Sequence, residues 1–542
     1  MRRVTLFSEK YTCLRTRYRN HSVSVKASCS KMCRFTDLFR RAYTYAALLG
    51  RGRQLYRELV SIALSEGFQI TEKALKLLEE SETPVEDLVR TIDYIKSSNP
   101  DLIVIDVDHV VKTLAAVEKT QNNIQVVEET PAFYKPNLAI QNSADENEKI
   151  EGSIEEFRHY FQSRYYSLRK VLERRRVNFI PISEAASVKD GEEAYLVAMV
   201  QGRQERKNSV AIEVDDPSGV LTVIVPKKNQ QLFEQAGDLL QDVVVGLKVM
   251  RAGDLYVLRE LLYPDVEDMS HKTLPTMPEA YVCLISDLHV GSRHFRKDFF
   301  EKFLDWLSRG RDGVVKRISH IVVDGDLVDG VGVYPGQEND LLVKNVEDQL
   351  RQAADLLAEI PERIEIVFSP GNHEPVRKAL PQPPLQPRYR DIINVRRKVT
   401  LVSNPSTLVF DSRKVLVYHG QGLDELVQSL PEVSYSNLNE TAPKVIASML
   451  RFRHLAPVYG ENTQLMPTRE DRLVISEQPN LLQTGHIHVT VNTSHRGVLL
   501  VNAGAWQDQT SYQKSMGLEP MVGYAALLNL STMTVQLKYF GS

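Results

Sequence analysis

The sequence predicts a multidomain chain with a small all-α domain, a β-barrel and an α/β domain, in that order. Three changes in the hydrophobic pattern support this prediction. Apolar residues recur at helical spacing from 54 to about 116, alternate with polar residues from 194 to 264, and form short uninterrupted runs from 279 onward. At 542 residues the chain exceeds what one hydrophobic core usually supports, so several domains are expected.

The composition argues against two classes of protein, general polycations and proteins with a membrane-spanning helix. The chain has 42% hydrophobic and 25% charged residues and a net charge of -3. It is therefore no general polycation, and any nucleic-acid contact must come from local basic patches. No apolar run approaches the ~18 residues of a membrane span. The cysteines do not form the two pairs of a zinc motif and predict an intracellular, disulfide-free chain; they are Cys13, Cys29, Cys33 and Cys283.

The segment of residues 1–53 is basic, with Glu9 and Asp37 as its only acids. Transit peptides share this composition. Because the segment has little periodicity, we favour a disordered extension.

Residues 54–116 predict a small helical domain. Leu55, Leu59 and Ile62 share one helical face, and Thr83-Pro84 is typical of a helix start. A domain of this size is too small for a catalytic cleft, so docking is its expected use.

Two connecting segments follow the helical domain. Residues 117–152 lose periodicity, end in a polar and acidic stretch, and predict a flexible linker. Residues 153–190 predict a connecting helix that Ser153 caps. Its aromatic and basic residues fit a nucleic-acid contact and a solvated helix face equally well.

Residues 191–268 predict a β-barrel. A period of two indicates five strands, with a helix between the third and fourth. The predicted strands are Tyr195–Val200, Val210–Val214, Val220–Val225, Val243–Val249 and Leu255–Leu262, with the helix at Asn229–Leu240. This order is that of an OB-fold, a scaffold that binds single-stranded nucleic acid or other proteins. Few aromatic residues lie on these strands, which favours a structural or interface role.

Residues 269–542 predict an α/β domain in which five apolar runs end in metal-binding residue types. The runs deliver Asp287 and His289 (AYVCLISDLH), Asp326 (ISHIVVDGD), Asn372 and His373 (IEIVFSPGNHE), His419 (KVLVYHG), and His486 and His488 (LLQTGHIH). Such runs suit strands buried on both faces, and sites in α/β sheets form just past the carboxyl ends of strands. The neighbouring Gly325, Gly371 and Gly485 let the backbone turn sharply.

These residue types suit two divalent cations. Two cations ~3.5–4 Å apart need a shared anion, and Asp326 is the candidate bridge. Imidazoles and an amide complete the ligand shells without cancelling the positive charge that attracts phosphate. Mixed nitrogen and oxygen donors favour manganese, iron, zinc or nickel over calcium or magnesium alone. The histidines outside the pattern predict surface or loop positions; they are His271, His294, His320, His454 and His495.

The five motifs resemble the calcineurin-like metallophosphoesterase superfamily, whose fold is a pair of packed β-sheets flanked by helices. A barrel directly before such a domain resembles the small (B) subunits of replicative DNA polymerases. Local stretches are similar in particular to the archaeal family D DNA polymerase small subunits: SDLHVGSRHF, DGDLVDGVGVYPGQE, SPGNHEPVRKALPQP, YHGQGLDEL, RHLAPVYG, TGHIHV and VNAGAWQDQTSYQ. The resemblance covers about residues 54–542, and it places the helical domain and linker by order more than by motif.

The resemblance implies a 3′→5′ exonuclease (proofreading) subunit that works with a separate large, polymerising subunit in DNA replication. It implies two divalent ions, with manganese expected and iron, zinc, nickel or magnesium as alternatives. One ion is expected among Asp287, His289, Asp326 and His488, and the other among Asp326, Asn372, His419 and His486. His373 is the catalytic candidate that protonates or stabilises the departing 3′-oxygen, with a phosphate contact as the alternative role.

The resemblance also implies partners and a location. The expected partners are the large subunit and a single-stranded or mismatched DNA 3′ end, while a sliding-clamp contact stays open. The expected location is the cytoplasm, at the nucleoid. Basic residues near the motifs fit DNA contacts and solvated loop charges equally; they are Arg293, Arg296, Lys297, Arg377 and Lys378.

Two alternative functions stay open at this point. One is another DNA-repair nuclease or phosphoesterase of the same superfamily, although these usually begin with the phosphoesterase domain. The other is a non-catalytic scaffold, as in the eukaryotic relatives whose ligand residues have decayed. None of the expected ligand positions is lost here, which favours catalysis.

Overall fold

The computed structural model describes residues 53–79, 81, 83–98, 102–113, 133–144 and 149–541. The chain divides into two compact units, one within residues 1–131 and the other within 132–542. The predicted basic extension, residues 1–53, lies outside the described residues except for Arg53. Across the described part of the chain, no helix has the length and apolar content that crossing a membrane requires.

The described part of the first unit contains the helices α1 (Arg53–Ser65), α2 (Glu72–Glu79) and α3 (Pro84–Ser98), and residues 107–113 are also helical. They enclose one apolar core, which includes Leu59, Ala63, Leu75, Leu78, Leu88, Ile92 and Ile95. Two very short strands, β1 (Gln69–Ile70) and β2 (Val104–Ile105), pair in parallel. The all-α prediction is therefore wrong in this detail, because two-residue strands leave no alternating pattern in a sequence.

The predicted flexible linker, residues 117–152, is wrong over residues 138–142. Leu138–Asn142 forms strand β3, which pairs antiparallel with Ser406–Phe410 of the α/β domain. This strand lies at the edge of its sheet and has no fully buried residue. Its sequence therefore lacks the apolar run of an inner strand.

The predicted connecting helix, residues 153–190, is shorter than expected. Helix α4 spans Ile154–Glu173, and Ser153 caps it in a capping box with Glu156. Arg176, just beyond its end, has a left-handed backbone with φ of 60°, which an α-helix does not continue through. Strand β4 (Phe179–Ile180) follows and pairs with the barrel.

The second unit contains the predicted five-stranded barrel. Its strands are β5 (Glu193–Glu205), β6 (Ser209–Asp216), β7 (Gly219–Pro226), β8 (Val244–Ala252) and β9 (Leu255–Leu262), with helix α5 (Gln230–Gly237) between β7 and β8. The spatial order is β5-β6-β7-β9-β8, and a pairing of β5 with β8 closes the barrel. Inward-facing residues such as Leu196, Ala198 and Ile212 are fully buried. The prediction of a multidomain α/β chain with this barrel is confirmed.

The rest of the second unit is built from two six-stranded sheets and the helices around them. The first sheet has the order β13 (Val399–Leu401), β12 (Glu365–Ser369), β11 (Ile318–Asp324), β10 (Tyr281–Ile285), β19 (Tyr524–Asn529) and β20 (Thr534–Tyr539). The second has the order β17 (Thr490–His495), β18 (Val498–Ala503), β16 (Leu481–Thr484), β15 (Arg413–Val417), β14 (Ser406–Phe410) and β3. The helices are α6 (Lys297–Arg309), α7 (Val346–Ala358), α8 (Pro387–Ile393), α9 (Leu423–Ser429), α10 (Leu438–Phe452) and α11 (Ser511–Met516).

The alternation of side chains along the strands explains how these layers pack. Val282 and Leu284 of β10 share a buried cluster with Val415 and Val417 of β15, so the two sheets face each other. Cys283, between Val282 and Leu284, contributes to a different cluster with helices α6 and α7. Strands β10, β11 and β12 are mutually parallel, as are β15 and β16. Their carboxyl ends therefore gather the predicted ligands at one edge of the sandwich.

Two histidines predicted at the surface or in loops are buried. The interpretation is wrong for His320, which lies on a strand, whereas His454 lies in a loop but is not at the surface. His320 on β11 is fully buried and its ring contacts Phe410, with centroids 5.0 Å apart. Its position in an otherwise apolar strand determines this burial. His454 is also buried and contacts Asp471 at 2.8 Å.

Candidate metal centre

Six of the seven predicted ligands and the catalytic candidate His373 lie together in three overlapping groups. Within each group the nitrogen and oxygen atoms that could bind a metal lie within 4.8 Å of one another. The groups are Asp287, His289 and His488; His289, Asp326 and His373; and Asp326, His419 and His486. Asp326 and His289 each belong to two groups, so the three form one continuous centre.

In the first group, two imidazoles and a carboxylate point at one another. His289 Nε2 and His488 Nε2 are 3.0 Å apart, and His488 Nε2 is 3.3 Å from Asp287 Oδ1. The second ring nitrogen of His289 donates to Asp329 Oδ1 at 3.1 Å. Nε2 is therefore the ring nitrogen of His289 that faces into the group, as in a metal-bound histidine oriented by a carboxylate.

The group around Asp326 likewise consists of imidazole nitrogens and oxygen atoms that face one another. His419 donates its Nδ1–H to the Asp324 carbonyl at 2.8 Å. Its Nε2 then faces two oxygen acceptors, Asp326 Oδ2 at 3.1 Å and Asn372 Oδ1 at 3.2 Å. Burial lowers the pKa of His419, but the Asp326 carboxylate outweighs this and raises that pKa well above its usual value.

His486 extends this group on the other side of Asn372. Its Nδ1 is 2.9 Å from Asn372 Oδ1, and its Nε2 donates to Asp424 Oδ2 at 3.0 Å. His419 Nε2, His486 Nδ1 and Asn372 Oδ1 thus converge on a small space. Opposed acceptors at this distance repel one another unless a proton or a cation lies between them, so the residues present fit divalent cations with mixed nitrogen and oxygen ligands.

The amino-acid sequence matches one family of known proteins. The family model that describes the B subunits of DNA polymerases alpha and epsilon matches residues 282–490. The DNA polymerase II small subunit of Methanothermobacter thermautotrophicus is 32% identical over 485 residues, which cover 88% of this chain and 98% of the relative. The chain belongs to the family of archaeal DNA polymerase II small subunits. The small subunit of Archaeoglobus fulgidus is 36% identical over 72% of this chain and 78% of its own length.

Five of the predicted ligands in this small subunit have a left-handed backbone. Their φ angles are 54° for Asp287, 54° for His289, 50° for Asp326, 67° for His486 and 53° for His488. Such a conformation costs ~1–3 kcal/mol for a residue with a side chain, and it concentrates at functional sites. The strand ends are therefore held in strained turns that direct these side chains into the centre.

The three glycines predicted beside the ligands have no side chain, and ligand atoms fill the space where a side chain would lie. A Cβ atom on Gly371 would lie 2.3 Å from Asp326 Oδ1, and one on Gly485 would lie 2.5 Å from Asp287 Oδ2. A Cβ on Gly325 would lie 2.2 Å from His419 Nδ1. A side chain at any of these positions would displace a ligand of the small subunit.

The substitution Gly325→Ala is expected to lower metal affinity by at least about tenfold, because the new methyl group must move His419. Gly332→Ala is the matched control. Gly325 and Gly332 have nearly equal φ angles, 77° and 74°, but nothing lies within 4 Å of a Cβ on Gly332. Both variants carry the same backbone strain, so calorimetric metal titration should separate them. Equal metal affinities would show that the close contact has no role in the centre.

Several residues around the centre were not predicted from the sequence. Asp329 orients His289 and itself accepts hydrogen bonds from Gln337 and Gln507. Asp424 accepts from His486, and the amide of Gln513 lies 2.8 Å from His488 Nδ1. The sequence offers one signal for these supporting residues: each ligand imidazole needs a hydrogen-bond partner at its second nitrogen. The partner's position depends on the fold, so no spacing rule identifies it.

His373 and Glu374 follow the ligand Asn372. His373 Nδ1 donates to the Asp329 carbonyl at 2.6 Å, which leaves Nε2 directed toward Asp326 Oδ2 at 3.8 Å. Burial lowers the pKa of His373 to about 4. Glu374 accepts from the backbone N–H groups of Asp326 and Gly371, and burial raises its pKa to about 7. Glu374 therefore joins two of the ligand turns.

The basic residues predicted to contact DNA differ in whether their side chains are already paired within the protein. Arg296 is bound to Asp298 and Asp508 and lies over the Phe299 ring. Arg377 donates to the Pro381 carbonyl, and Lys378 to the Asn372 carbonyl. Lys297 forms an exposed ion pair with Glu301 at 3.5 Å. Arg293 is exposed and its guanidinium has no hydrogen-bond or ion-pair partner among the described residues.

Proposed function

We propose that this chain is the 3′→5′ exonuclease subunit of an archaeal DNA polymerase II, with a centre that would hold two divalent cations for hydrolysis of the terminal phosphodiester of a DNA strand. The observation that carries the proposal is the environment of Asp326. Its Oδ2 atom lies 3.1 Å from His419, 3.8 Å from His373 and 3.9 Å from His289. One carboxylate oxygen facing imidazoles on both sides is suited to bridge two cations.

The residues divide into two ligand sets around that bridge. The first cation would be held by Asp287, His289, Asp326 and His488, and the second by Asp326, Asn372, His419 and His486. Bound there, the cations would lower the pKa of a water molecule and offset the charge that develops on the phosphoryl oxygens. Manganese is the expected ion, with iron, zinc, nickel and magnesium as alternatives.

The role proposed for His373 is to assist the departing 3′-oxygen. Its side chain is held by Asp329 and faces Asp326 without belonging to either ligand set. A group in this position can reach the leaving oxygen of a phosphodiester bound at the centre. Because Nδ1–H is committed to Asp329, proton donation from Nε2 requires the imidazolium form, which a pKa of about 4 makes a minor species at neutral pH.

The substitution His373→Ala is expected to lower turnover of DNA by about 10²-fold with metal content unchanged. The reason is that an alkoxide leaves poorly without a proton donor. Thymidine 5′-phosphate p-nitrophenyl ester, whose leaving group needs no proton, should lose much less rate. Stopped assays on both substrates, with metal analysis of each protein, measure the difference. Equal losses on the two substrates would favour the phosphate contact, and loss of metal would remove His373 from this role.

The proposed substrate is a single-stranded or mismatched DNA 3′ end, and the proposed partner is the large polymerising subunit. Arg293 is the basic residue best placed to contact the DNA backbone, since its guanidinium is unpaired in the described structure. The five-stranded barrel, which we interpret as an OB-fold, is proposed as an interface module. The same proposal includes a location at the nucleoid and leaves room for a contact with a sliding clamp.

One assay separates this function from its two alternatives. The purified complex with the large subunit, given manganese, should release nucleoside 5′-monophosphates from mismatched 3′ ends faster than from paired ends. A non-catalytic scaffold would release none. A phosphatase would instead prefer monoesters such as a 3′-terminal phosphate.

A further inference from the structure

Beside the centre lies a pair of stacked tyrosines that the chemistry above does not use. The rings of Tyr334 and Tyr512 are 5.3 Å apart between centroids and inclined by 24°. Tyr512 is 46% exposed, whereas Tyr334 is only partly exposed. An exposed ring that is stacked on a second, supported ring is a flat aromatic surface facing solvent.

Both tyrosines lie close to residues of the centre. The Tyr334 ring lies 6.3 Å from the His373 ring between centroids, and its hydroxyl donates to Asp340 Oδ2 at 3.2 Å. Tyr512 lies on α11 directly before Gln513, whose amide is 2.8 Å from His488. The pair therefore lies beside the candidate centre.

A free positive charge lies on the same side. The backbone of Arg293 donates to the Asp340 carbonyl at 2.8 Å, and Asp340 is the residue that holds the Tyr334 hydroxyl. Aromatic rings interleaved with unpaired basic side chains are the combination that binds single-stranded nucleic acid without sequence preference.

We infer that Tyr512, supported by Tyr334, is the stacking platform for the unpaired base at the DNA 3′ end. This inference rests on the proposed exonuclease function and specifies its substrate. A base joined to its phosphate through one sugar can lie on Tyr512 while that phosphate occupies the centre. A base paired in a duplex already stacks within the helix and is not free for Tyr512. The platform thus selects frayed and mismatched ends, and every base can use it because each has a π-face.

The binding test uses an oligonucleotide with 2-aminopurine as its 3′-terminal base and the full chain in a chelating buffer. Stacking should quench the fluorescence in the wild-type protein and in Tyr512→Trp, and Tyr512→Ala should lose the quenching with affinity lowered about 10- to 100-fold. Tyr166→Ala is the matched control, because Tyr166 is 49% exposed on α4. Unchanged quenching in Tyr512→Ala, or an equal loss in the control, would overturn the inference.

A kinetic test with manganese separates this inference from the function on which it rests. Tyr512→Ala should raise KM about tenfold or more for thymidine 5′-phosphate p-nitrophenyl ester and leave methyl p-nitrophenyl phosphate, which has no base, unaffected. Equal losses on both esters would mean that Tyr512 only supports the centre, which overturns the platform. If the wild-type protein hydrolysed neither ester nor DNA, the proposed exonuclease would fail, whereas the fluorescence test would still decide the platform.

Discussion

The substitution Asp326→Asn is expected to abolish exonuclease activity and metal binding together, while the fold and the assembly with the large subunit persist. Asparagine has the same shape and keeps the oxygen that accepts the His373 backbone N–H at 2.9 Å. It removes the negative charge that faces His289, His373 and His419. Without that charge two cations lose their shared anion and repel each other at full strength.

The size of this effect follows from what the cations contribute. Lewis-acid stabilisation of a phosphoryl transfer is worth several kcal/mol, and about 4 kcal/mol corresponds to about 10³-fold in rate. We therefore expect a loss of at least about 10³-fold, measured as nucleotide release from a mismatched 3′ end. Asp355→Asn, which removes a surface carboxylate paired with Arg396, is the matched control and should retain full activity. An active Asp326→Asn protein that still binds two cations would refute the centre.

The sequence allowed the convergence of the ligands to be predicted, because one physical rule governs it. Parallel strands carry the residues at their carboxyl ends to the same edge of a sheet. Asp287, Asp326 and Asn372 follow three adjacent parallel strands, β10, β11 and β12. The rule needs only the position of each apolar run, which a single sequence provides. That these side chains bind metal remains a proposal.

The residues that support the ligands could not be predicted in the same way. Asp329 meets His289 across 40 residues, and Asp424 meets His486 across 62. Nothing local distinguishes these carboxylates from solvated ones. The same limit applies to Arg296 and Arg377, whose charges resembled free DNA contacts but are bound within the protein. Strand β3 was missed because an edge strand depends on its neighbour, β14, and not on an apolar run of its own.

The second large effect is a loss of stability, and it is expected at Arg164 on α4, outside the centre. Its guanidinium is fully buried and donates to Asp471 Oδ2 at 2.7 Å, to the Asp242 carbonyl at 3.2 Å and to the Pro457 carbonyl at 2.5 Å. Asp242 lies two residues before the barrel strand β8, whereas Pro457 and Asp471 belong to the α/β domain. One side chain therefore joins the helix to both domains of the second unit.

The substitution Arg164→Met is expected to lower the free energy of unfolding of the second unit by about 3–5 kcal/mol. Removing one partner leaves the buried Asp471 carboxylate without its cation, and this costs far more than the pair itself contributes. Arg158→Met, which breaks an exposed pair with Glu155, is the matched control and should cost no more than about 1 kcal/mol. Denaturant unfolding of both variants measures the difference, and equal stabilities would remove Arg164 from this role.

The dependence on pH identifies the cause of that loss. In the wild type, burial raises the pKa of Asp471, but His454 and Arg164 outweigh it and hold this pKa below the ordinary value. Asp471 therefore stabilises the folded state above its unfolded pKa of ~3.9, and this contribution is lost as the pH falls further. In Arg164→Met the folded pKa of Asp471 should rise, because its remaining partner, His454 at 2.8 Å, is a cation only when it is protonated. As the pH falls, protonation of His454 or of Asp471 relieves the unpaired buried charge. The stability difference between wild type and variant should then be largest near neutral pH and shrink as the pH falls toward ~4. A difference independent of pH would attribute the loss to packing around Arg164 instead of to its charge.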